Sequence, residues 1–338
     1  MRLSTSFNAA LIGCALIALL AGCGGGGSTA GSVLPAGRGV APSGPDSGGS
    51  MPPNAAPLAK HAPPHDIYVA DYGSTVVKEI PKACRYPSCV VTVGSGFSCP
   101  TAVTLDSAQN VYVSNTCDYN TAVYKMAPGC NDISCASTVA GDGEYRNPIG
   151  TAVDKKGNLY VSDYSNGYVK EVPAGCQNYS CVAELGGNAF VGPGYYWDYG
   201  PSDVAVDKHG HVYVASYDYV SVMASNCNAD TCVTRLGGGW NTPWSVSLDR
   251  HGNVYVDDRG NKEIKEMSPG CKSSSCVKVI MGGFSDPIWA VVDAKDNVYV
   301  SDNGNSAVRE IPKGCKSSSC MITIGGGFSA PLGLAVGP

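Results

Sequence analysis

Pro148-Ile149-Gly150-Thr151-Ala152-Val153-Asp154-Lys155-Lys156-Gly157-Asn158-Leu159-Tyr160-Val161-Ser162-Asp163 is the stretch that decides the fold. A proline opens a short apolar run that closes on Asp154, Lys155 to Asn158 carry turn chemistry, and Leu159-Tyr160-Val161 is a β-branched and aromatic run ending at Asp163. This is the pattern of two strands joined by a tight turn. A polar loop, Asp163-Tyr164-Ser165-Asn166-Gly167, then leads to a third strand, Tyr168 to Val172, and a hairpin flanked by cysteines leads to a fourth.

The apolar-Tyr-Val anchor recurs around Tyr68, Tyr112, Tyr160, Tyr213, Tyr255 and Tyr299, at intervals of 44, 48, 53, 42 and 44 residues. Such a period is the length of one four-stranded propeller blade, so the repeat predicts an all-β, six-bladed propeller over residues 66–338. The first repeat starts directly at its second strand, Asp66 to Ala70, and the sequence carries an unpartnered first strand at Pro331 to Val336. The C-terminal strand is therefore expected to complete the N-terminal blade, which removes the open edges of the ring.

Upstream, Arg2 precedes an apolar run from Ala9 to Leu20. At about a dozen residues this run is shorter than the roughly 20 a spanning helix needs. The order reads as a secretory signal over 1–22. Leu20-Ala21-Gly22-Cys23 resembles the bacterial lipobox, which implies cleavage before Cys23 and its lipidation. With Gly24 after the cysteine, the resemblance implies the outer membrane in a host with two membranes. Residues 24–65, rich in Gly, Ser, Pro and Ala, bury too little apolar surface to offset the entropy of ordering and read as a tether.

The cysteines agree with an oxidising compartment. Setting aside Cys14 and Cys23, twelve form one Cys-x4-Cys pair per blade: Cys84/Cys89, Cys130/Cys135, Cys176/Cys181, Cys227/Cys232, Cys271/Cys276 and Cys315/Cys320. Residues flanking a four-residue hairpin loop between the third and fourth strands are expected to face each other within disulfide reach. Cys99 precedes the first strand of its blade and Cys117 follows the second, so an antiparallel pair brings them to the same end. Zinc is the competing reading of Cys-x4-Cys, but it needs four ligands, and one pair per blade brings no second pair near.

Apolar-Ala-Val-Asp, two residues, Gly-Asn, then apolar-Tyr-Val-Ser-Asp, as in Val153 to Asp163 and Val292 to Asp302, resembles the NHL repeat over essentially all of 66–338. The resemblance implies a propeller and only weakly a function, because relatives bind proteins or RNA, act as sensors, or are enzymes such as lactonases and a zinc-dependent lyase. The basic residue the family often carries before the core of the third strand is replaced by Val76, Tyr168, Glu263 and Ala307. Basic residues fall two positions later, at Lys78, Lys170, Lys265 and Arg309, each followed by glutamate, and read as a solvated strand face. A net charge of −5 speaks against nucleic acid.

Repeated residues serve the fold first. Asp71, Asp163, Asp258 and Asp302 are expected to accept backbone N–H bonds from polar loops, and Phe97, Tyr145, Trp240, Phe284 and Phe328, each three residues before a proline, to wedge between blades. The non-periodic feature is Asn188 to Gly200, whose Tyr195, Tyr196, Trp197 and Tyr199 lie on the connection into an inner strand. Tyr and Trp offer large contact area at little rotamer loss, which suits recognition. A loop that packs down over the channel mouth is the competing reading. Trp244 and Trp289, at the starts of inner strands, extend the candidate ligand-binding set. For catalysis, no Gly-x-Ser-x-Gly elbow occurs. His61 and His65 lie in or beside the tether, and His209, His211 and His251 fall on turns of the opposite face; Glu144, Asp198 and Asp203 are the acids considered for calcium. The expectation is a lipid-anchored, extracytoplasmic propeller that binds a protein or glycan as an envelope sensor or adhesion module. A metal-dependent propeller enzyme is the alternative. No cofactor, no metal, no nucleic acid and a monomer are expected.

Overall fold

The computed structural model describes residues 65–84, 86–117, 121–140, 145–190 and 200–337. The signal segment, Cys23 and the tether lie outside the described residues. Among the described residues, twenty-four strands form six antiparallel four-stranded sheets. The inner strands of blades 1 to 6 are Pro331–Val336, Pro100–Leu105, Pro148–Val153, Pro201–Val206, Pro243–Leu248 and Pro287–Val292. Among the described residues the other regular elements are short 3-10 turns.

The ring closes as the repeat requires. Pro331–Val336 pairs with Ile67–Asp71 in the register Ile67↔Val336, Tyr68↔Ala335 and Val69↔Leu334. Chain segments 258 and 259 residues apart are locked by Asp71 Oδ1, which accepts the N–H groups of Ser329 and Ala330, both at 2.9 Å.

Alternation along the second strands builds the core between blades. Tyr160 of blade 3 packs with Val204, Val212 and Val214 of blade 4. Tyr213 of blade 4 packs with Val246, Val254 and Val256 of blade 5, and Tyr255 of blade 5 with Ala290, Val298 and Val300 of blade 6. In each Tyr-Val pair the tyrosine therefore faces the next blade and the valine the preceding one, as period-two side chains must.

The turn after each of the inner strands of blades 2 to 6 is an Asx turn. In blade 3, Asp154 Oδ1 accepts the N–H groups of Lys156 (2.8 Å) and Asn158 (2.9 Å), and Asn158 Nδ2 donates to Asp154 Oδ2.

The connection between third and fourth strands carries the expected bridges on a different backbone. Cys84–Cys89, Cys130–Cys135, Cys176–Cys181, Cys227–Cys232, Cys271–Cys276 and Cys315–Cys320 are all disulfides, with Cα atoms 5.7–5.9 Å apart. The two cysteines of a pair are not facing residues of a strand ladder, which corrects the hairpin expectation. Instead Cys89, Cys135, Cys181, Cys232, Cys276 and Cys320 each end a three-residue 3-10 turn that precedes the fourth strand. Each of these six donates its N–H to the carbonyl three residues back, at 3.1–3.4 Å. The i→i+3 bond tightens the four-residue loop, so the sulfurs meet across a turn rather than across a pair of strands. In five of the six pairs the first cysteine is the deeper: Cys84, Cys227 and Cys271 are buried and Cys130 and Cys176 half-buried, against half-buried Cys89 and Cys276 and exposed Cys135, Cys181 and Cys232, whereas Cys315 and Cys320 are both half-buried. Cys99–Cys117 is the seventh bridge, with its Cα atoms 5.2 Å apart.

Candidate ligand-binding face

The two ends of the ring differ in construction. On one, the loop after the second strand meets the loop before the inner strand in blades 1, 2, 3, 5 and 6, as where Tyr164 N–H donates to Asn147 O, Gly260 N–H to Asn241 O, and Asn303 N–H to Asp286 O. The Asx turns and disulfide-bridged turns occupy the other. The connection carrying Asn188 to Gly200 leads into the inner strand Pro201–Val206, which starts at the first face.

That face is fastened by a repeated clamp. Asp163 Oδ1 accepts the N–H groups of Arg146 and Asn147, and its Oδ2 accepts Asn166 Nδ2 at 2.7 Å and pairs with Lys170 Nζ at 2.9 Å. Asp71 with Lys78, Asp258 with Lys265 and Asp302 with Arg309 repeat the arrangement. The aspartates therefore hold loops through backbone N–H groups, as expected from sequence. The basic residues do not form a solvated face: Lys170 is 1 % and Lys265 7 % exposed. Antiparallel register sets each lysine opposite the valine two residues before the aspartate, so the side chain runs along the sheet to the carboxylate rather than outward. The wedge aromatics cover them, with Phe328, Tyr145 and Trp240 rings 5.5, 5.2 and 5.8 Å from the ammonium groups of Lys78, Lys170 and Lys265.

Between blades 3 and 5 the same face turns aromatic. Trp244, half-buried, lies 6.2 Å from the ring of Tyr164 at a 41° tilt, and the Arg259 guanidinium sits 5.5 Å over its indole. Arg259 is fixed by a two-pronged pair with Asp286, Nε to Oδ1 at 3.0 Å and Nη2 to Oδ2 at 3.2 Å. Tyr217, on the blade 4 loop of this face, is 46 % exposed. Tyr195, Tyr196, Trp197 and Tyr199 lie outside the described residues, but both flanks of their segment are placed. Phe190 is buried in the core between blades 3 and 4. Gly200 lies so close to blade 3 that an added Cβ would meet Tyr164 O at 1.7 Å. The segment thus leaves blade 3 at Phe190 and returns beside Tyr164.

Trp289 is placed differently: 4 % exposed, it lines the central channel, a cavity of about 270 Å³ between the six inner strands. Asp203 is also in that wall, its oxygens accepting the N–H groups of Val204 (2.8 Å) and Val246 (2.9 Å), and burial pushes its pKa well up. Glu144 and Asp198 lie outside the described residues. A buried acid that sequence reading missed is Asp257. It stands where Ser114, Ser162 and Ser301 stand in other blades, neither of its oxygens meets a donor among the described residues, and burial drives its pKa well up. The repeat itself carried this signal, since Asp257 is the one acid at that position.

On the opposite face, His209 and His211 are exposed, and His211 Nδ1 contacts Asp207 Oδ2 at 2.8 Å in the place that asparagine takes in other Asx turns. His251 borders a groove of about 580 Å³ between blades 5 and 6. Among the described residues, no three His, Cys, Asp or Glu side chains are grouped so as to hold a metal ion.

These features define a closed, six-bladed β-propeller with an aromatic patch at one channel mouth. No family model matches the chain, and no curated protein matches it. Solved structures share the fold. A nidogen/laminin complex structure aligns with TM-score 0.64 and 13% identity, covering 80% of this chain and 97% of that one. Virginiamycin B lyase from Staphylococcus aureus aligns with TM-score 0.53 and 7% identity over 79% of this chain and 83% of its own. A streptogramin B lyase aligns with TM-score 0.56 and 6% identity over 83% and 93%. The similarity extends to binding and lyase propellers alike and is one of fold.

Proposed function

We propose that the protein is a lipid-anchored, extracytoplasmic binding module that takes a protein or glycan ligand on the channel-mouth face of blades 3 to 5. The observation that carries this reading is Trp244, half-buried between Tyr164 and a fixed Arg259, with Tyr217 exposed on the intervening blade. Aromatic side chains with one face packed and a polar rim are the usual anchors of recognition surfaces. The described flanks of the segment bearing Tyr195, Tyr196, Trp197 and Tyr199 are Phe190, in the core of blades 3 and 4, and Gly200, beside Tyr164, which is why these four aromatics are included in the proposal. Seven disulfides support an oxidising address. The Cys23 anchor, the sorting to an outer membrane and the NHL family are part of the proposal and rest on the sequence. The test is a screen of the mature protein against immobilised glycans and envelope proteins, repeated with Trp244→Ala and with Tyr195, Tyr196 and Trp197 replaced by serine. Loss of an anchor costs about 2 kcal/mol or more, at least a tenfold weakening. A ligand whose affinity is indifferent to all of these replacements would sink the assignment of the face.

A metal-dependent enzyme is the second reading, supported by lyases among the fold neighbours and by two buried acids, Asp203 in the channel wall and Asp257 on the second strand of blade 5. Elemental analysis decides between them: a stoichiometric divalent ion whose chelation lowers the melting temperature would favour the enzyme.

A further inference from the structure

The inner strands line the channel in two different ways. A bulge follows the proline of every inner strand and shifts its register against the second strand. The fourth residue then has its N–H free of the ladder in blades 4, 5 and 6, where a side chain takes it. Val204 N–H donates to Asp203 Oδ1 at 2.8 Å and Val246 N–H to Asp203 Oδ2 at 2.9 Å. Ala290 N–H donates to Ser245 Oγ at 2.9 Å. The third residue of one inner strand thus covers the fourth residue of the next.

The equivalent residues of blades 1, 2 and 3, Leu334, Val103 and Thr151, hold the same register, opposite Val69, Val113 and Val161. The residues placed to cover them are Trp289, Gly333 and Ala102, none of which carries an acceptor. Close approach of the strands enforces the small ones: a Cβ at Gly333 would lie 2.5 Å from Ala102 Cα. Thr151 adds a hydroxyl. It is 7 % exposed, lines the channel, and its Oγ1 meets no partner among the described residues. Buried backbone donors are costly to leave unmatched, and a cavity whose wall offers donors without acceptors favours an anion.

We propose that the arc of the channel formed by blades 1 to 3 binds a small monovalent anion, a halide or a short carboxylate, through the N–H groups of Leu334, Val103 and Thr151 and the Thr151 hydroxyl. The cavity of about 270 Å³ accommodates such an ion, and no lysine or arginine lines it, so the backbone supplies the attraction. Asp203, on the adjoining blade 4 and packed against Gly150, has its oxygens engaged by two N–H groups, and burial favours its neutral form, which limits repulsion. This site is separate from the aromatic face and does not depend on it.

Chloride NMR line width on the full-length protein tests the site, with chloride as the probe and acetate as competitor. Wild-type protein is expected to broaden the chloride line saturably, and acetate to reverse the broadening. Ala102→Asp, which copies the Asp203 arrangement onto the Thr151 N–H, is expected to weaken binding at least tenfold. Ala102→Ser copies Ser245 and serves the same purpose where the aspartate variant does not unfold cooperatively. A line width that does not saturate, or one that saturates equally in the folded Ala102 variant, would overturn the proposal.

Discussion

Four blades and two blades solve the same problem differently. Blades 1, 3, 5 and 6 hold the loop before the inner strand with an aspartate backed by a lysine or arginine on the third strand. Blade 2 has Asn115 and Tyr124 at these places, and blade 4 has Ser216 and Ser221. Both partners change together, because a buried aspartate without its cation, or the reverse, is far costlier than a neutral pair. Asn115 Oδ1 still accepts the N–H groups of Ser98 (3.0 Å) and Cys99 (2.8 Å), and the Phe97 ring meets Tyr124 at 5.9 Å where other wedges meet lysine. The Cys99–Cys117 bridge fastens the same two loops covalently. Blade 4 has neither device: Ser216 Oγ and Ser221 Oγ meet no partner among the described residues. It is also the blade entered by the aromatic segment. The clamp holds loops down for the fold, and the blade without it is the one whose loop differs most in length and composition from the repeat.

The largest effect should come from breaking one charged clamp. Asp163→Ala leaves Lys170 buried without a counter-charge and is expected to cost about 3–5 kcal/mol in denaturant unfolding. Ser216→Ala, at the equivalent place in blade 4, should stay within about 0.5 kcal/mol. Asp163→Asn with Lys170→Tyr, copying blade 2, should recover much of the loss; failure to recover any would mean that charge itself is required. Next in size are the bridges. Replacing Cys99 and Cys117 by serine should cost about 3 kcal/mol and replacing Cys176 and Cys181 about 2 kcal/mol, following loop length. Equal losses would contradict the chain-entropy origin of the difference.

The smallest effect depends on pH. Asp257 and Glu310 both have raised pKa values, Glu310 up to about 7, chiefly by burial, with Asp293 adding to the Glu310 shift. Between the unfolded carboxyl value near 4 and these raised values the folded state binds more protons, so stability is full in acid and falls as pH rises. Asp257→Ser, which restores the residue of blades 2, 3 and 6, should therefore stabilise the ring by about 1–2 kcal/mol at pH 7, the cost of an unsatisfied buried polar group, and by little at pH 4. A gain of equal size at both pH values would show that the carboxyl is not the source.

How much of this was legible in the sequence follows from which contacts are local. The Tyr-Val anchors, the Asx turns and the Cys-x4-Cys turns are formed by residues near each other in the chain, so blade number, ring closure and all seven disulfide pairings were readable. The 3-10 turn ahead of Cys89 and its five counterparts was not, because cysteine spacing fixes which sulfurs meet and leaves the backbone between them open. The Asp–Lys clamp was not legible either: Lys170 reaches Asp163 only once the register places it opposite Val161, and the following glutamate suggested a solvated pair instead. The sequence groups Trp289 with Trp244 as a candidate ligand-binding residue, but Trp289 lines the channel. The two are one position apart in their inner strands, and that single residue turns one toward the mouth and the other into the channel wall. Asp203 was noted for a different chemistry, and its partner Val246, 43 residues away, could be found only from the ring.

Side-chain footprinting of the mature protein, with and without a ligand recovered from the binding screen, tests the recognition face most directly. Protection is expected at Tyr217 and Trp244, on blades 4 and 5, with exposed Tyr86 of blade 1 unchanged. Protection centred on the groove between blades 5 and 6 on the opposite face, with Trp244 unaffected, would contradict it.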